Sequence, residues 1–402
     1  MISYNPNSIP IPIDKAVITT SIPLAEVVGK CSPEHLGRLP ASISPYVRGI
    51  KTGARSQSPV SIATRTIHVD GFDSIKLQVS KDPTWTIDQI QFNPGSLIHG
   101  HNGKVLNADE FHRALTVLIE VVTPLLANPN DKIHIVPGLH AGSRASWKSI
   151  EIPFHVLDED GAILKAFANA KHKDINKPPL HTCSGQTITF SNSPNTLVIR
   201  IYRKDIQMLS KHGAKKVLDP LPLLRLEVML KGAKLEQYLQ SAVWRTKAGQ
   251  RQLVSFGPEG LRQAFLAVMT GFGGCYARVP SQDDSASDCK AGRMMGWVAF
   301  TTGLSITDQF QYHSDRFLKG NEPTSINNAK STYLTAARAE LALLRPMRLA
   351  DLFGEADWNN QQYVSCPNLE MMTLARHQFI DADPRIVAVY ADEPAGSDVL
   401  PS

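Results

Sequence analysis

Four short stretches hold residue types that could act together on a phosphate ester. Residues 97–104 read LIHGHNGK, with His99 and His101 one residue apart. If that stretch is extended, both imidazoles face the same way, about 7 Å apart at the backbone. Two imidazoles so placed can share one divalent ion, or they can simply be turn residues. SIEIPFHV (149–156) sets Glu151 between Ile150 and Ile152. With the isoleucines on a core, its carboxylate faces a groove or solvent. LVIRIYRKDIQ (197–207) brings an apolar strand to Tyr202, with Arg200, Arg203 and Lys204 around it. Such cations can hold a phosphate and stabilise a phenolate, and a phenolate can attack phosphorus. The plain alternative is a half-buried strand tyrosine. LLRLEVML (223–230) puts Arg225 and Glu227 on one face and Leu224, Leu226 and Val228 on the other. That pair reads as a phosphate clamp and a metal carboxylate, or as a salt bridge.

These residues need elements to hold them. SIATRTIHV, DSIKLQVS and TWTIDQIQF have the alternation of strands across residues 61–92. Asn93-Pro94-Gly95 predicts a turn, and LIH a short strand into HGHNG. ADEFHRALTVLIEVVTPLL (108–126) predicts a helix capped by Asn107, with Asp109 and Glu110 in its first turn. DKIHIVPGL and WKSIEIPFHVL predict strands, and GAILKAFANAKHK a short helix. QTITF and NTLVIRIYRKDIQML predict a hairpin turning near Ser191-Asn192-Ser193-Pro194, and LLRLEVMLK (223–231) a further strand. Beyond 235 the pattern turns helical: KLEQYLQSAVWRTKAG, GPEGLRQAFLAVMTGF, SINNAKSTYLTAARAELALLRPMRL and CPNLEMMTLARHQFI. The expected class is α+β, an antiparallel-sheet catalytic domain with flanking helices followed by a mainly helical C-terminal domain. The expected boundaries are a strand and loop arm at 1–60, the α+β domain at 61–250, and a helical domain at 251–402 with an acidic tail.

The bulk properties narrow the class. At 402 residues the chain is too long for one ordinary core. It is 42% hydrophobic and 20% charged, as folded soluble chains are, and its net charge of +5 is compatible with a polyanionic partner. From Arg203 to Arg251 eleven Lys and Arg face four Asp and Glu. Arg200, Arg203, Lys215, Lys216, Arg245, Lys247 and Arg251 are the candidates for tracking phosphates; a solvated helix face explains the last three equally. The five cysteines (Cys31, Cys183, Cys275, Cys289 and Cys366) form no CxxC, which argues against a zinc ribbon and a disulfide framework. No apolar run reaches membrane-spanning length, and MISYNPNSIPIPIDK is not expected to be a signal peptide. A cytoplasmic setting without membrane partners is expected.

No single stretch is specific, but their order is. A Gly-His-Asn turn, a strand acid, a Tyr-x-Lys at a strand end and an Arg-x-Glu strand resemble the gene II-type replication initiators of filamentous phages. NPGSLIHGHN (93–102) sits where that family has Ser-Pro-Ala-Lys leading to Leu-Gln-Gly-His-Asn. Ser149-Ile150-Glu151 matches its Arg-Ile-Asp strand, with Glu for Asp. Tyr202-Arg203-Lys204 matches its Tyr-x-Lys, and Leu224-Arg225-Leu226-Glu227 its Leu-Arg-x-Glu. The resemblance covers roughly residues 85–240.

The resemblance implies a rolling-circle DNA replication endonuclease. Tyr202 would be the nucleophile, with Lys204 and Arg225 balancing charge, and Mg²⁺ or Mn²⁺ would be held by some of His99, His101, Glu151 and Glu227. Its partners would be duplex origin DNA and single-stranded DNA, with a host helicase and polymerase, since no Gly-x-x-x-x-Gly-Lys-Ser/Thr loop occurs here. The competing expectations are a plasmid relaxase or transposase of the same chemistry, a sequence-specific DNA-binding protein without catalysis, and a metal hydrolase that uses water.

Overall fold

The computed structural model describes residues 10–44, 47–52, 65–69, 75–158, 161–168, 170–182, 186–213, 217, 222–273, 276–278, 289–302, 305–318, 323–346, 352–353, 358, 366 and 381–390. In chain order it starts with β1 (Lys15–Pro23), α1 (Glu26–Lys30), β2 (Val47–Thr52), β3 (Arg65–Val69), β4 (Lys76–Lys81) and β5 (Trp85–Phe92). Then come α2 (Pro94–His99), α3 (Ala108–Val122), β6 (Ser146–Leu157), α4 (Ala162–Phe167), β7 (Lys171–His172), β8 (Leu180–Thr182), β9 (Thr187–Ser191) and β10 (Leu197–Arg203). They are followed by α5 (Lys204–His212), β11 (Leu223–Lys231), α6 (Ala233–Tyr238), β12 (Val243–Lys247), β13 (Gln250–Ser255) and α7 (Pro258–Met269). The last elements are β14 (Phe272–Gly273), β15 (Tyr276–Arg278), α8 (Lys290–Thr302), α9 (Ile306–Phe317), α10 (Pro323–Leu343), β16 (Leu344–Pro346) and α11 (Pro384–Val389).

The protein is α+β, and its largest element is one antiparallel sheet in the order β2-β3-β4-β5-β1-β6-β11-β10-β9-β8, with the β12–β13 hairpin joined to β6. Period-2 alternation gives this sheet two unlike faces. Ile50, Ile67, Leu77, Ile90, Ile18 and Trp147 are register partners across six successive strands, and every one is buried. Burying a side chain of this size contributes about 1.5–3 kcal/mol, so this row alone fixes the register. Helices cover that face. Phe111 of α3 meets Tyr390 and Phe256, which in turn pack on Trp147, and Phe265 of α7 stacks on Phe154. The opposite face is polar, and the central strands β6 and β11 are buried on both faces.

Several sequence expectations are corrected. Within the expected arm at 1–60, the described Lys15–Pro23 is instead part of the sheet, because β1 lies between β5 and β6. LIH is helical: Asn93 caps α2 by accepting from Ser96 N, Pro94 opens it, and Gly100 closes it at φ 73°. Asn-Pro-Gly thus starts a helix where a turn was expected. DKIHIVPGL forms no strand; Pro129–His134 is a 3-10 turn behind Asn128, and its Ile135 and Val136 are buried all the same. KLEQYLQSAVWRTKAG is not one helix. α6 stops at Tyr238, and β12 and β13 form a hairpin whose turn residues Ala248 and Gly249 both have positive φ. The strand through Tyr202 ends at Arg203, where α5 begins. CPNLEMMTLARHQFI lies almost wholly outside the described residues.

Contacts divide the chain into two units, one of Met1–Leu157, Asp174–Gly271 and Phe353–Ser402, the other of Asp158–Lys173 and Phe272–Leu352. This differs from the boundaries expected at 60 and 250, because the sheet takes strands from both sides of each. The first unit holds the whole large sheet. The second holds α4, α8, α9 and α10 with the small pairs β7–β14 and β15–β16. There Met295, Phe310, Leu334 and Ala337 form a core. α8 and α10 lie so close that a Cβ on Gly296 would meet the Ala337 carbonyl oxygen at 2.6 Å. No helix among the described residues is long and apolar enough to cross a membrane.

Candidate metal centre

Four adjacent strands bring the candidate site together on the polar face. β10 pairs with β11 so that Arg200 faces Glu227 and Tyr202 faces Arg225. β11 pairs with β6, placing Met229 opposite Glu151, so Glu227 and Glu151 are diagonal neighbours. β1 pairs with β6 so that Lys15 faces Glu151. Asp14 stands at a bend just before β1, and its N–H donates to the Glu151 carbonyl oxygen.

Carboxylate oxygens of Asp14, Glu151 and Glu227 all lie within 4.8 Å of one another, and all three residues are buried. Three such acids cannot ionise together unless cations offset them. Protein cations do part of this. Arg225, which is fully buried, sets Nη2 3.2 Å from Asp14 Oδ1 and Nε 3.8 Å from Glu227 Oε1. Arg200 sets Nη1 3.1 Å from Glu227 Oε2 and 3.6 Å from Glu151 Oε1, and Lys15 Nζ lies 3.9 Å from Glu151 Oε1.

The loop after α2 completes the frame. Asn102 Nδ2 donates to Asp14 Oδ1 at 3.0 Å, and its carbonyl oxygen accepts from Arg225 Nη1 at 2.9 Å. Its side-chain oxygen accepts from Lys204 Nζ at 2.9 Å, and Asn93 Nδ2 donates to Asp14 Oδ1 at 3.2 Å. Tyr202 reaches the cluster by donating its hydroxyl to Glu227 Oε1 at 3.0 Å.

The electrostatics follow from burial. Burial would raise Asp14, but Arg225 and then Lys204 outweigh it and hold its carboxyl well below the usual range. Burial, then the neighbouring Glu227, pushes Glu151 up to about 7. Burial, then Asp14, raises Glu227. The Tyr202 phenol is held well above its ordinary value by burial and then by Glu227. Lys204 is driven well below its ordinary value by burial and then by Arg225. An added divalent cation would relieve the two glutamates, so the donor set fits a metal ion. All-oxygen ligands of this kind suit a hard cation.

Of the expected ligands, Glu151 and Glu227 belong to this cluster, and Asp14 is its third member. His99 and His101 are buried with their rings 6.0 Å apart, but they lie outside the set of converging ligand atoms. His99 Nε2 is 3.2 Å from Glu110 Oε1, which Lys104 Nζ also reaches at 2.7 Å. Burial would raise Glu110, but His99 and then Lys104 hold it down at about 2. His101 Nδ1 accepts from Gly103 N at 3.0 Å.

The expected phosphate-tracking residues are scattered. Arg200 lies on the site, while Arg203 is clamped to Asp205 at 2.7 Å. Arg245 donates to the Ser143 and Ala145 carbonyl oxygens, a structural use of the charge. Arg251 pairs with Glu236 at 2.8 Å and lies over Trp244, and Lys247 is exposed on β12. Lys215 and Lys216 lie outside the described residues.

Asp14 and Asn102 are the residues the sequence reading missed. Counting in twos from Ile18 and Ala16 assigns Asp14 to the apolar face, and only the bend at residue 14 takes it to the Glu151 side. Asn102 had a signal, since it is the polar residue directly after His101 in the motif already singled out. In comparison with known proteins, no family model and no curated protein matches the chain.

Proposed function

We propose that the chain is a rolling-circle DNA replication initiator that nicks one strand of duplex circular DNA through Tyr202. The observation that carries this reading is the Tyr202 hydroxyl donating to Glu227 inside a buried cluster of three carboxylates. A nucleophile needs a base within hydrogen-bond reach, and the Glu227 carboxylate accepts from the phenol at 3.0 Å. The order of motifs resembling gene II-type initiators supports the same choice of substrate.

In this reading Asp14, Glu151 and Glu227 hold Mg²⁺ or Mn²⁺, which when bound supplies charge to polarise the scissile phosphate. Glu227 takes the phenol proton as the Tyr202 oxygen bonds to phosphorus. The bond from phosphorus to the 3′ oxygen breaks, and the proton that Glu227 took passes to that oxygen, which leaves as a free 3′-OH. The product is a 5′-phosphotyrosine, whose reversal rejoins ends without ATP. Arg200, 37% exposed at the mouth of the cluster, meets the phosphate, and Arg225 offsets the phenolate as it forms. Lys204 holds Asn102 and through it Asp14. A relaxase or transposase would use the same atoms on another DNA.

The test is adduct formation on supercoiled DNA carrying the replicon's own origin, with Mg²⁺ or Mn²⁺, resolved under denaturing conditions. The expected result is a covalent protein–DNA product that vanishes in Tyr202→Phe. Nicking that persists in Tyr202→Phe would replace this reading with a water-using nuclease. Binding without nicking would replace it with a DNA-binding module.

A further inference from the structure

The polar face of the sheet does not end at the carboxylates. Ser149, Val17, Gln91, Lys76 and His68 are register partners across β6, β1, β5, β4 and β3. A parallel row runs through Thr19, Gln89, Gln78, Thr66 and Lys51. Two adjoining grooves of about 290 Å³ each follow these rows, sharing Lys51 and His68. Their described lining contains Arg48, Lys51, Lys76 and His68 with glutamines and a threonine, and no carboxylate among the described residues. Lys51 and Lys76 have no ion-pair partner among the described residues. His68 is depressed by burial and then by Lys76, Lys51 and Arg48, so these cations act on one spot. Lys15 joins the surface to the site, since it lies two residues before Val17 and 3.9 Å from Glu151.

We propose that this face is the docking surface for the duplex DNA that flanks the phosphate held at the carboxylate cluster. The proposal rests on the DNA-nicking reading above. The five strand steps from β2 to β6 span about 24 Å, the length of roughly 7 base pairs. Lysines and long amides at that spacing contact phosphates and sugars without reading bases. No aromatic side chain lines the grooves, so the stacking platform that single strands use is missing among the described residues. The occupant is the duplex, because rows of cations and amides over this span match its recurring phosphates and run on from the site through Lys15.

The experiment is fluorescence anisotropy with labelled origin duplex and a labelled single strand, in EDTA over a range of salt. All proteins carry Tyr202→Phe, so no strand is cut. The variant is Lys51→Gln with Lys76→Gln. The charge-matched control is Lys30→Gln with Lys330→Gln, both exposed and carried by helices rather than by these strands. Expected is duplex binding weakened roughly tenfold, with a log K against log salt slope shallower by about 1.8. Binding equal to the parent, an equal loss in the control, or a loss confined to the single strand would each overturn the surface. An adduct in the chain with Tyr202 intact, beside duplex binding untouched by the lysine pair, keeps the nicking reading and removes this surface. No duplex binding by the parent removes both.

Discussion

The Tyr202 hydroxyl donates to Glu227 Oε1 at 3.0 Å, although the two residues are 25 positions apart in sequence. The register of β10 on β11 sets this bond, because Tyr202 lies opposite Arg225, two residues from Glu227. Removing the hydroxyl leaves Glu227 Oε2 with Arg200 at 3.1 Å, so the carboxylate keeps a partner. Tyr202→Phe should therefore cost only about 1 kcal/mol, the net worth of one hydrogen bond. Urea unfolding checks this. A loss of several kcal/mol would mean that the phenol is a keystone of the fold, and loss of the adduct would then say little about chemistry.

The pH dependence of stability has a definite sign. Glu151 goes from an ordinary value of 4.5 to about 7, through burial and then Glu227. A raised folded pKa gives stability that is fully present below the unfolded value and lost as pH rises through the folded one. Without divalent ions, the Glu151 contribution to the unfolding free energy should fall between pH 4.5 and 7, by about 3 kcal/mol, against the opposite slope of the lowered Lys204 and His68. Raised Glu227 acts in the same direction as Glu151. Glu151→Gln should flatten the curve and be more stable than the parent at pH 8. Chemical denaturation of parent and Glu151→Gln in EDTA at a series of pH values would show it, and a parent-minus-variant difference that does not fall across this window would refute the assignment.

How much of this was legible in the sequence depends on whether a signal was local. β11 matches its expected span residue for residue, because strict alternation over LLRLEVMLK has only one reading. The α3 start was readable too, since Asn107 is the expected cap, and the structure completes it as a capping box with Glu110. LIH failed because three apolar residues carry no period, and the Asn93 cap decided the matter. The 234–249 stretch failed because two positive-φ residues, Ala248 and Gly249, turn it back as a hairpin. In the site, Tyr202, Arg225, Glu151 and Glu227 were found as strand residues of set parity. Asp14 was not, because its place depends on a bend and on partners 79 and more positions away.

Arg225 is the counter-charge that lets the cluster fold. It is fully buried, faces Asp14 at 3.2 Å and donates to the Asn102 carbonyl oxygen at 2.9 Å. Arg225→Met removes the charge and strands Asp14, which should cost about 3–5 kcal/mol. The double variant Arg225→Met with Asp14→Asn should recover part of that loss, since the acid left without its partner is then gone. Unfolding free energies of the four proteins form a mutant cycle. Strict additivity would show that the two residues do not interact as their distance implies.

Metal binding separates two ligand sets that share Glu151 and Glu227. The motif reading adds His99 and His101; the converging oxygens add Asp14. Mg²⁺ or Mn²⁺ that binds only the folded chain raises the unfolding free energy, by about 2.7 kcal/mol at a hundredfold excess over Kd. The rise should be larger at pH 8 than at pH 6, because a proton on Glu151 competes with the cation. Asp14→Asn changes the fold's own ion pairs, so the readout is the shift on adding cation rather than stability itself. That shift should disappear in Asp14→Asn and in Glu151→Gln. It should persist in His99→Gln, whose imidazole is 3.2 Å from Glu110 instead. The reverse result, a shift kept without Asp14 and lost without His99, would move the ion to the set that contains the histidine pair.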